Sequence, residues 1–281
     1  MADEAGIGAL RGSTRLAAVI GSPLRHSRSP ALINAAFGAA GLDWAYVALE
    51  DAPGDAVAAV DAMRVLGLGG LSVTMPHKHA VIPALDRLSP AAEALEAVNC
   101  IAWDGDQLVG HNTDGDGLLD ALAAEGVTPS GLRCVVLGAG GAARSVARSL
   151  GASGAAEVCV VNRTVERAVP AAALAGPTGR VGTPDDIRDG ELIINATSVG
   201  MGASPTDAGP LPLDRDALRA GQIVVDLVYL PVETPLLRAA ASAGARPIDG
   251  IGMLVHQAAR AIRCWTGVDP DTNVMASAAR S

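Results

Sequence analysis

The segment Arg133-Cys134-Val135-Val136-Leu137, running straight into Gly138-Ala139-Gly140-Gly141-Ala142-Ala143, limits the folding choices of this chain more than any other. After its first residue the run is apolar throughout, the pattern of a strand buried on both faces of a parallel sheet. The glycines turn the chain into a helix that reaches Leu150, and 157–161 reads as the next strand. Strand, glycine turn, helix, strand is the context in which Gly138-x-Gly140-x-x-Ala143 becomes a dinucleotide fingerprint. The first glycine permits the tight turn and the second lets backbone approach a pyrophosphate. The small third residue lets helix and strand pack closely, and the helix N-terminus offers N–H groups and the positive end of a dipole.

The second strand selects the cofactor. An acidic residue at its end would accept from a ribose 2′-hydroxyl. Here the chain reads Asn162-Arg163-Thr164, with Arg167 four residues beyond Arg163. An amide does not repel a 2′-phosphate, and two guanidiniums at i and i+4 of a helix can converge on one, so the expected cofactor is NADP.

Around this unit the chain keeps alternating. Short apolar strands are expected at 16–20, 44–49 and 70–74, with helices after Pro30, over 55–66 (Asp55 as its cap) and from Pro76. The segments 100–103 and 108–111 flank Asp104-Gly105, a hairpin signal. Further strands fall at 192–194 and 223–225, and a last helix at about 253–265 closes the chain. The fold class is therefore α/β, with a first-half parallel sheet carrying an antiparallel edge.

Composition narrows the function. Aromatics make up only 2% of the 281 residues while hydrophobics reach 49%, so the core is expected to be aliphatic. A net charge of −9 argues against nucleic acid or an anionic membrane as partner. No apolar run approaches a membrane span, and the acidic start Met1-Ala2-Asp3-Glu4 does not read as a signal peptide; residues 1–13 are expected to be a loose tail. Cys100, Cys134, Cys159 and Cys264 form no C-x-x-C pair and read as buried reduced thiols, which with the rest fits a cytoplasmic protein. No metal site is expected. Asn112-x-Asp114-x-Asp116-Gly117 opens like a calcium loop, but its twelfth position is Ala123; His77 and His79, two apart, would lie on different sides of a helix.

Polar residues gather at strand ends and turns of the first half, where α/β proteins bind ligands. Singly, each has an ordinary reading as a cap, a turn residue or a surface charge. Together the segments Gly21-Ser22-Pro23-Leu24-x-His26-Ser27-x-Ser29-Pro30, Val73-Thr74-Met75-Pro76-x-Lys78, Ala97-Val98-Asn99 and Gly110-x-Asn112-Thr113-Asp114 resemble the shikimate dehydrogenases. So do the glycine turn, Asn162-Arg163-Thr164, Asn195-Ala196-Thr197-Ser198-x-Gly200-Met201 and Gly252-Met253-Leu254-Val255-x-Gln257, all collinear over about residues 15–270.

The resemblance implies two α/β domains separated by a cleft: a substrate-binding and catalytic domain at 1–114, with C-terminal helices at 249–281 packing back on it, and a Rossmann-type NADP-binding domain at 115–248. It implies Ser27 and Ser29 on a substrate carboxylate, Thr74, Asn99, Asp114 and Gln257 on ring hydroxyls, and Tyr229 on the substrate from the other domain. Lys78 and Asp114 would be the catalytic pair. Gly138, Ala139, Gly140, Gly141, Ala142, Asn162, Arg163, Thr164, Arg167, Thr197, Ser198, Val199, Met201 and Gly250 would line the cofactor site.

The implied reaction is reversible reduction of 3-dehydroshikimate to shikimate, on the route to aromatic amino acids, by a monomer or homodimer whose partner is the small-molecule substrate. A lysine suits the proton transfer if burial or another cation lowers its pKa, whereas a neighbouring aspartate raises it. The chain departs from the family at Ser72 (often Asn), Cys100 (commonly Thr), Leu230 (Asn) and Ile262 (frequently Phe). Those changes keep a quinate or aminoshikimate dehydrogenase as alternatives. A non-catalytic nucleotide-binding regulator and a folate-type dehydrogenase rank lower, because Lys78, Asp114, Ser27, Ser29 and Gln257 are all present.

Overall fold

A computed structural model describes residues 10–202 and 209–281; residues 1–9, most of the expected tail, lie outside it. In chain order the elements are β1 (Arg15–Gly21), α1 (Ser29–Ala39), β2 (Trp44–Glu50), α2 (Ala56–Leu66), β3 (Gly70–Val73), β4 (Arg87–Leu88), α3 (Pro90–Leu95), β5 (Cys100–Asp104) and β6 (Gln107–His111). Then come α4 (Asp114–Ala124), β7 (Arg133–Leu137), α5 (Gly141–Ala152), β8 (Glu157–Val161), α6 (Val165–Ala173), β9 (Gly179–Val181), α7 (Asp186–Asp189) and β10 (Leu192–Asn195). The chain ends with β11 (Ile223–Asp226), α8 (Pro235–Ser242), β12 (Arg246–Ile248), α9 (Ile251–Thr266) and α10 (Thr272–Arg280). Two compact units result. One holds the described residues up to Thr113 together with Val255–Ser281, the other those from Asp114 to Leu254.

The sheet of the first unit has the order β2-β1-β3-β5-β6-β4. β1 pairs in parallel with β2 and β3, whereas β5 runs antiparallel to both β3 and β6. The antiparallel strand is thus internal, not at the edge as the sequence suggested: β4, too short to stand out in the sequence, pairs in parallel with β6 and takes the edge. One face packs α2 through Val60 and Met63 onto Ile20, Leu71 and Ile101. On the other face Tyr46 stacks on Trp265 at 5.9 Å, and the Trp265 indole donates to the Ile101 carbonyl. Five of the six aromatic residues, Phe37, Trp44, Tyr46, Trp103 and Trp265, lie in this unit, so the aliphatic core expected from composition holds for the second unit and for the α2 face of this sheet, while Phe37, Tyr46 and Trp265 are buried outside that cluster.

The second sheet, β12-β11-β10-β7-β8-β9, is parallel throughout. From β7 the chain winds one way through β8 and β9, then returns to the other side of β7 with β10, which puts the switch in strand order at the C-terminal ends of β7 and β10. Ala, Val, Leu and Ile fill both faces, for example Val146, Ala147 and Leu150 of α5 against Cys134, Val136 and Val158. Met253 packs against this same core, which keeps the first residues of α9 with the second unit.

Several local expectations give way to tertiary contacts. No helix starts at Pro76. The Lys78 carbonyl accepts from Val98 N–H instead of from its own segment, and only a short turn of 3-10 helix follows at Ile82–Ala84. Without that helix His77 and His79 are not set on two sides of one: His77 is buried and His79 Nδ1 meets the Glu96 carbonyl. Asp55 sits at the N-cap of α2, but its side chain makes no capping hydrogen bond. The hairpin turns on Gly105-Asp106, one residue later than expected. α10 closes the chain beyond α9, started by the Asp271 carboxylate, which accepts from Asn273 and Val274 N–H.

Cys100, Cys134 and Cys159 are buried, but Cys264, in the last turn of α9, is exposed. Burial pushes the Cys134 and Cys159 thiols up to about 12. A hydrogen bond with the Cys100 thiol, helped by Arg260 and Arg263, holds Cys264 below the usual thiol range. A thiolate above its pKa is the reactive form. Iodoacetamide is therefore expected to modify Cys264 first, at a rate that climbs with pH and does so at lower pH than for an ordinary thiol. Peptide mapping that found Cys134 or Cys159 labelled first in folded protein would contradict this.

Candidate active site

Each unit carries its own half of the candidate residues. In the first, β1 ends at Gly21 and the chain passes through Ser27 and Ser29 into α1. Ser27 Oγ accepts from Ser29 N–H at 3.3 Å, and Arg28 at the N-cap position supplies no side-chain cap. The two hydroxyls thus stand at the positive end of an 11-residue helix, a setting that favours a carboxylate. Arg28 turns away and donates to the Ala279 carbonyl of α10. Thr74 follows β3 directly, with its N–H on the Ile20 carbonyl of β1.

Lys78, Asn99 and Gln257 come from three separate stretches and are tied together by one knot. Val98 N–H donates to the Lys78 carbonyl at 2.7 Å. Asn99, 4% exposed, accepts from Thr113 N–H at 2.8 Å and donates to Thr113 Oγ1 at 2.9 Å. Thr113 Oγ1 in turn donates to the Gln257 carbonyl at 3.0 Å. Thr113 was not singled out from the sequence as a site residue. Its position between the end of β6 and the start of α4, inside Asn112-Thr113-Asp114, was the available signal. Thr113→Val removes a buried hydroxyl that serves both partners. It is expected to cost about 1–3 kcal/mol of stability and to raise KM for the ring substrate, measured by denaturant unfolding and steady-state kinetics. An unchanged midpoint and KM would show the hydroxyl to be dispensable. Asp114 begins α4, is 6% exposed, and falls in the second unit.

In the second unit the glycine turn has the form the fingerprint requires. Gly138 adopts φ +107°, and a Cβ there would crowd Thr197 Cγ2 and the Ala196 carbonyl at 3.1 and 3.2 Å. At Gly140 and Gly141 an added Cβ would meet nothing within 4 Å, so the space above the first turn of α5 is open, while Ala143 is fully buried. No side chain caps α5, leaving its first turn to a ligand.

At the end of β8 the Asn162 amide donates to the Thr164 carbonyl at 2.8 Å. This turn holds Arg163 outside α6, which begins at Val165, so Arg163 and Arg167 are not the i, i+4 pair on one helix that the spacing suggested. Both are exposed, and among the described residues neither forms an ion pair. Two unneutralised guanidiniums beside an amide, with no carboxylate at the strand end, fit a 2′-phosphate.

The remaining candidate cofactor segments are fixed by a buried hub that the sequence does not reveal. Asp226, fully buried at the end of β11, accepts from Asn195 Nδ2 at 2.8 Å, Val228 N–H at 3.1 Å and Thr234 Oγ1 at 2.6 Å. Asn195 Oδ1 accepts from the Thr197 N–H and hydroxyl, and Thr197 Oγ1 from Val199 N–H. Gly202 N–H reaches the Leu230 carbonyl. The segment carrying Thr197, Ser198, Val199 and Met201 is thereby tied to the one carrying Tyr229. Burial raises the Asp226 carboxyl from its ordinary value, against the three hydrogen bonds that lower it. Gly250 packs on the Leu227 and Asp226 carbonyls, where a Cβ would come within 2.7 Å.

Comparison with known proteins gives three family matches along the chain. Residues 19–101 match the family described as shikimate dehydrogenase substrate binding domain, 122–198 shikimate / quinate 5-dehydrogenase, and 250–280 shikimate 5'-dehydrogenase C-terminal domain. A shikimate dehydrogenase (NADP(+)) of Geobacter metallireducens is 43% identical over 278 residues, covering 95% of this chain and 96% of that protein. Among solved structures, the shikimate 5-dehydrogenase of Thermus thermophilus in complex with NADP(H) and shikimate superposes with a TM-score of 0.87 at 37% identity, covering 95% of this chain and 98% of that one. The quinate dehydrogenase of Corynebacterium glutamicum in complex with NAD gives 0.85 at 34% identity, covering 94% and 98%.

Proposed function

The chain belongs to the shikimate dehydrogenase family, and from that footing we propose that it reduces 3-dehydroshikimate to shikimate, reversibly, with NADPH. It is an oxidoreductase, and its cofactor is NADP. The observation that carries the substrate reading is the knot around Thr113, which brings the lysine-bearing turn, Asn99 and the Gln257 segment into one frame.

When bound, NADPH supplies the hydride; the rest falls to side chains of the chain. Ser27 and Ser29 hold the ring carboxylate at the N-terminus of α1, and Thr74, Asn99 and Gln257 take ring hydroxyls. Lys78 as ammonium donates its proton to the carbonyl oxygen while the carbon accepts hydride, leaving an alcohol and a neutral amine that solvent reprotonates. In the reverse direction the neutral amine removes the hydroxyl proton. Asp114 orients Lys78 and the neighbouring hydroxyl, and Tyr229 contacts the substrate from the cofactor side. Gly138 to Ala142 receive the pyrophosphate, Asn162, Arg163, Thr164 and Arg167 the 2′-phosphate end, and Thr197, Ser198, Val199, Met201 and Gly250 the nicotinamide end.

A cytoplasmic location and a monomer or homodimer complete the proposal. Among the described residues no helix is long and apolar enough to cross a membrane.

The test is a four-way assay of purified protein with shikimate or quinate, each with NADP or NAD. Preference for shikimate with NADP is the expected result. Turnover mainly of quinate with NAD, the pairing named for the Corynebacterium glutamicum neighbour, would overturn the substrate and the Arg163/Arg167 reading together. Silence in all four would overturn the reaction itself.

A further inference from the structure

Beside Lys78 lies an ionisable pair, a buried histidine and a partly buried aspartate, that the reaction does not use. His77 is 1% exposed, and its Nε2 sits 3.0 Å from Asp51 Oδ1, just past the end of β2. The same carboxylate oxygen accepts from Gly21 N–H at 2.8 Å. One oxygen thus bridges the end of β1 to the turn that carries the lysine. The two stretches are laced at further points: Ser22 N–H donates to the Met75 carbonyl at 2.9 Å, and Thr74 N–H to the Ile20 carbonyl at 3.0 Å. The approach is so close that a Cβ at Gly21, whose φ is +147°, would lie 2.5 Å from Thr74 Cγ2 and 2.7 Å from the Met75 carbonyl.

We infer that Asp51 and His77 are positioning residues for Lys78, fixing the lysine turn against the strand end that leads to Ser27 and Ser29. The inference rests on the reading of Lys78 as the proton-transfer group. The turn is anchored on its far side by Val98 N–H on the Lys78 carbonyl, and on its near side by the His77 side chain, so the lysine backbone is held from both flanks.

The pair is a poor device for stability alone. Asp51 Oδ2 and His77 Nε2 are both buried without a hydrogen-bond partner among the described residues, although Nε2 lies 3.0 Å from Asp51 Oδ1. Burying an under-satisfied carboxylate and imidazole costs free energy that apolar side chains of similar size would not, so its use here points to placement. Placement matters for this step because misplacing a reacting group by about 1 Å can cost on the order of 100-fold in rate.

The experiment uses the full chain with His77→Phe, His77→Gln, Asp51→Asn and, as reference, Lys78→Ala. The readouts are kcat and KM for shikimate, NADP binding and thermal midpoint. His77→Phe is expected to lower kcat about 10- to 100-fold, with KM for shikimate changed less than about threefold and NADP affinity and midpoint close to wild type. His77→Gln, whose amide can still reach Asp51, is expected to restore kcat to within about threefold. Asp51→Asn keeps an acceptor for Gly21 while removing the charge facing the imidazole. It should fall between the two, and it carries the test if His77→Phe does not fold. Near-wild-type kcat in both His77→Phe and Asp51→Asn, or a kcat loss that merely follows the folded fraction, would overturn the inference. If Lys78→Ala itself kept full turnover, the reading of Lys78 would fail first, a different result from an inert Lys78→Ala beside fully active Asp51 and His77 variants.

Discussion

Lys78→Ala is expected to lower kcat for shikimate oxidation by about 100- to 10,000-fold, the usual range for removing a positioned general acid–base. KM for shikimate should rise far less, because the carboxylate and the ring hydroxyls are held by other residues. NADP affinity should stay within about twofold, since the glycine turn and Arg163 lie in the other unit. Small primary amines added to the variant are expected to recover part of the rate by occupying the vacated space. A variant that kept near-full turnover with its fold intact would remove Lys78 from the mechanism. One that lost NADP binding in step with activity would show that the substitution damaged more than proton transfer.

The second large effect is expected at the cofactor. If Arg163 and Arg167 each give one charge-assisted hydrogen bond, worth about 1.5–3 kcal/mol, alanine at either position should weaken NADP about 10- to 100-fold. NAD, which lacks the phosphate, should bind each variant as it binds the wild type. Selectivity between the two dinucleotides, and not loss of affinity alone, identifies a phosphate contact. Equal weakening of both dinucleotides would mean that the arginines hold the turn after β8, and no weakening would leave them as solvated surface charges. The two losses need not match, because the settings differ: Arg163 is fixed beside the Asn162–Thr164 hydrogen bond, whereas Arg167 projects from the first turn of α6.

The α/β class, the glycine turn and most strands could be read from the sequence because their signals are local. A parallel strand buried on both faces must be continuously apolar, and Val135, Ile193 and Val224 sit in such runs. β9 and β12, outermost in the second sheet, could not be read this way. Gly179–Val181 is only partly buried, and Arg246–Ile248 contains Pro247, tolerated at a sheet edge but not a strand signal.

Pro76 misled for a related reason: proline at a first helical position permits a helix without demanding one, and the contacts that forbid it here are with Val98 and Asp51, remote in sequence. The site shows the same division. Residues in collinear motifs were recognisable, whereas Thr113, Asp226 and the Asp51–His77 pair act through partners distant along the chain, as far as 144 positions for Thr113 and Gln257, that no local pattern reveals. Asp226 left one trace, an acid closing the apolar run Ile223-Val224-Val225.

The uneven placement of aromatic residues gives the protein a built-in optical reporter. All three tryptophans, Trp44, Trp103 and Trp265, belong to the first unit, and the only aromatic side chain of the second is Tyr229. Intrinsic indole emission therefore reports on the substrate-binding half and is almost silent about the dinucleotide-binding half, whereas far-ultraviolet circular dichroism sums both. In a urea titration, separate midpoints for the two signals would measure how independently the halves melt, and coincident midpoints would mean that they unfold as one cooperative body.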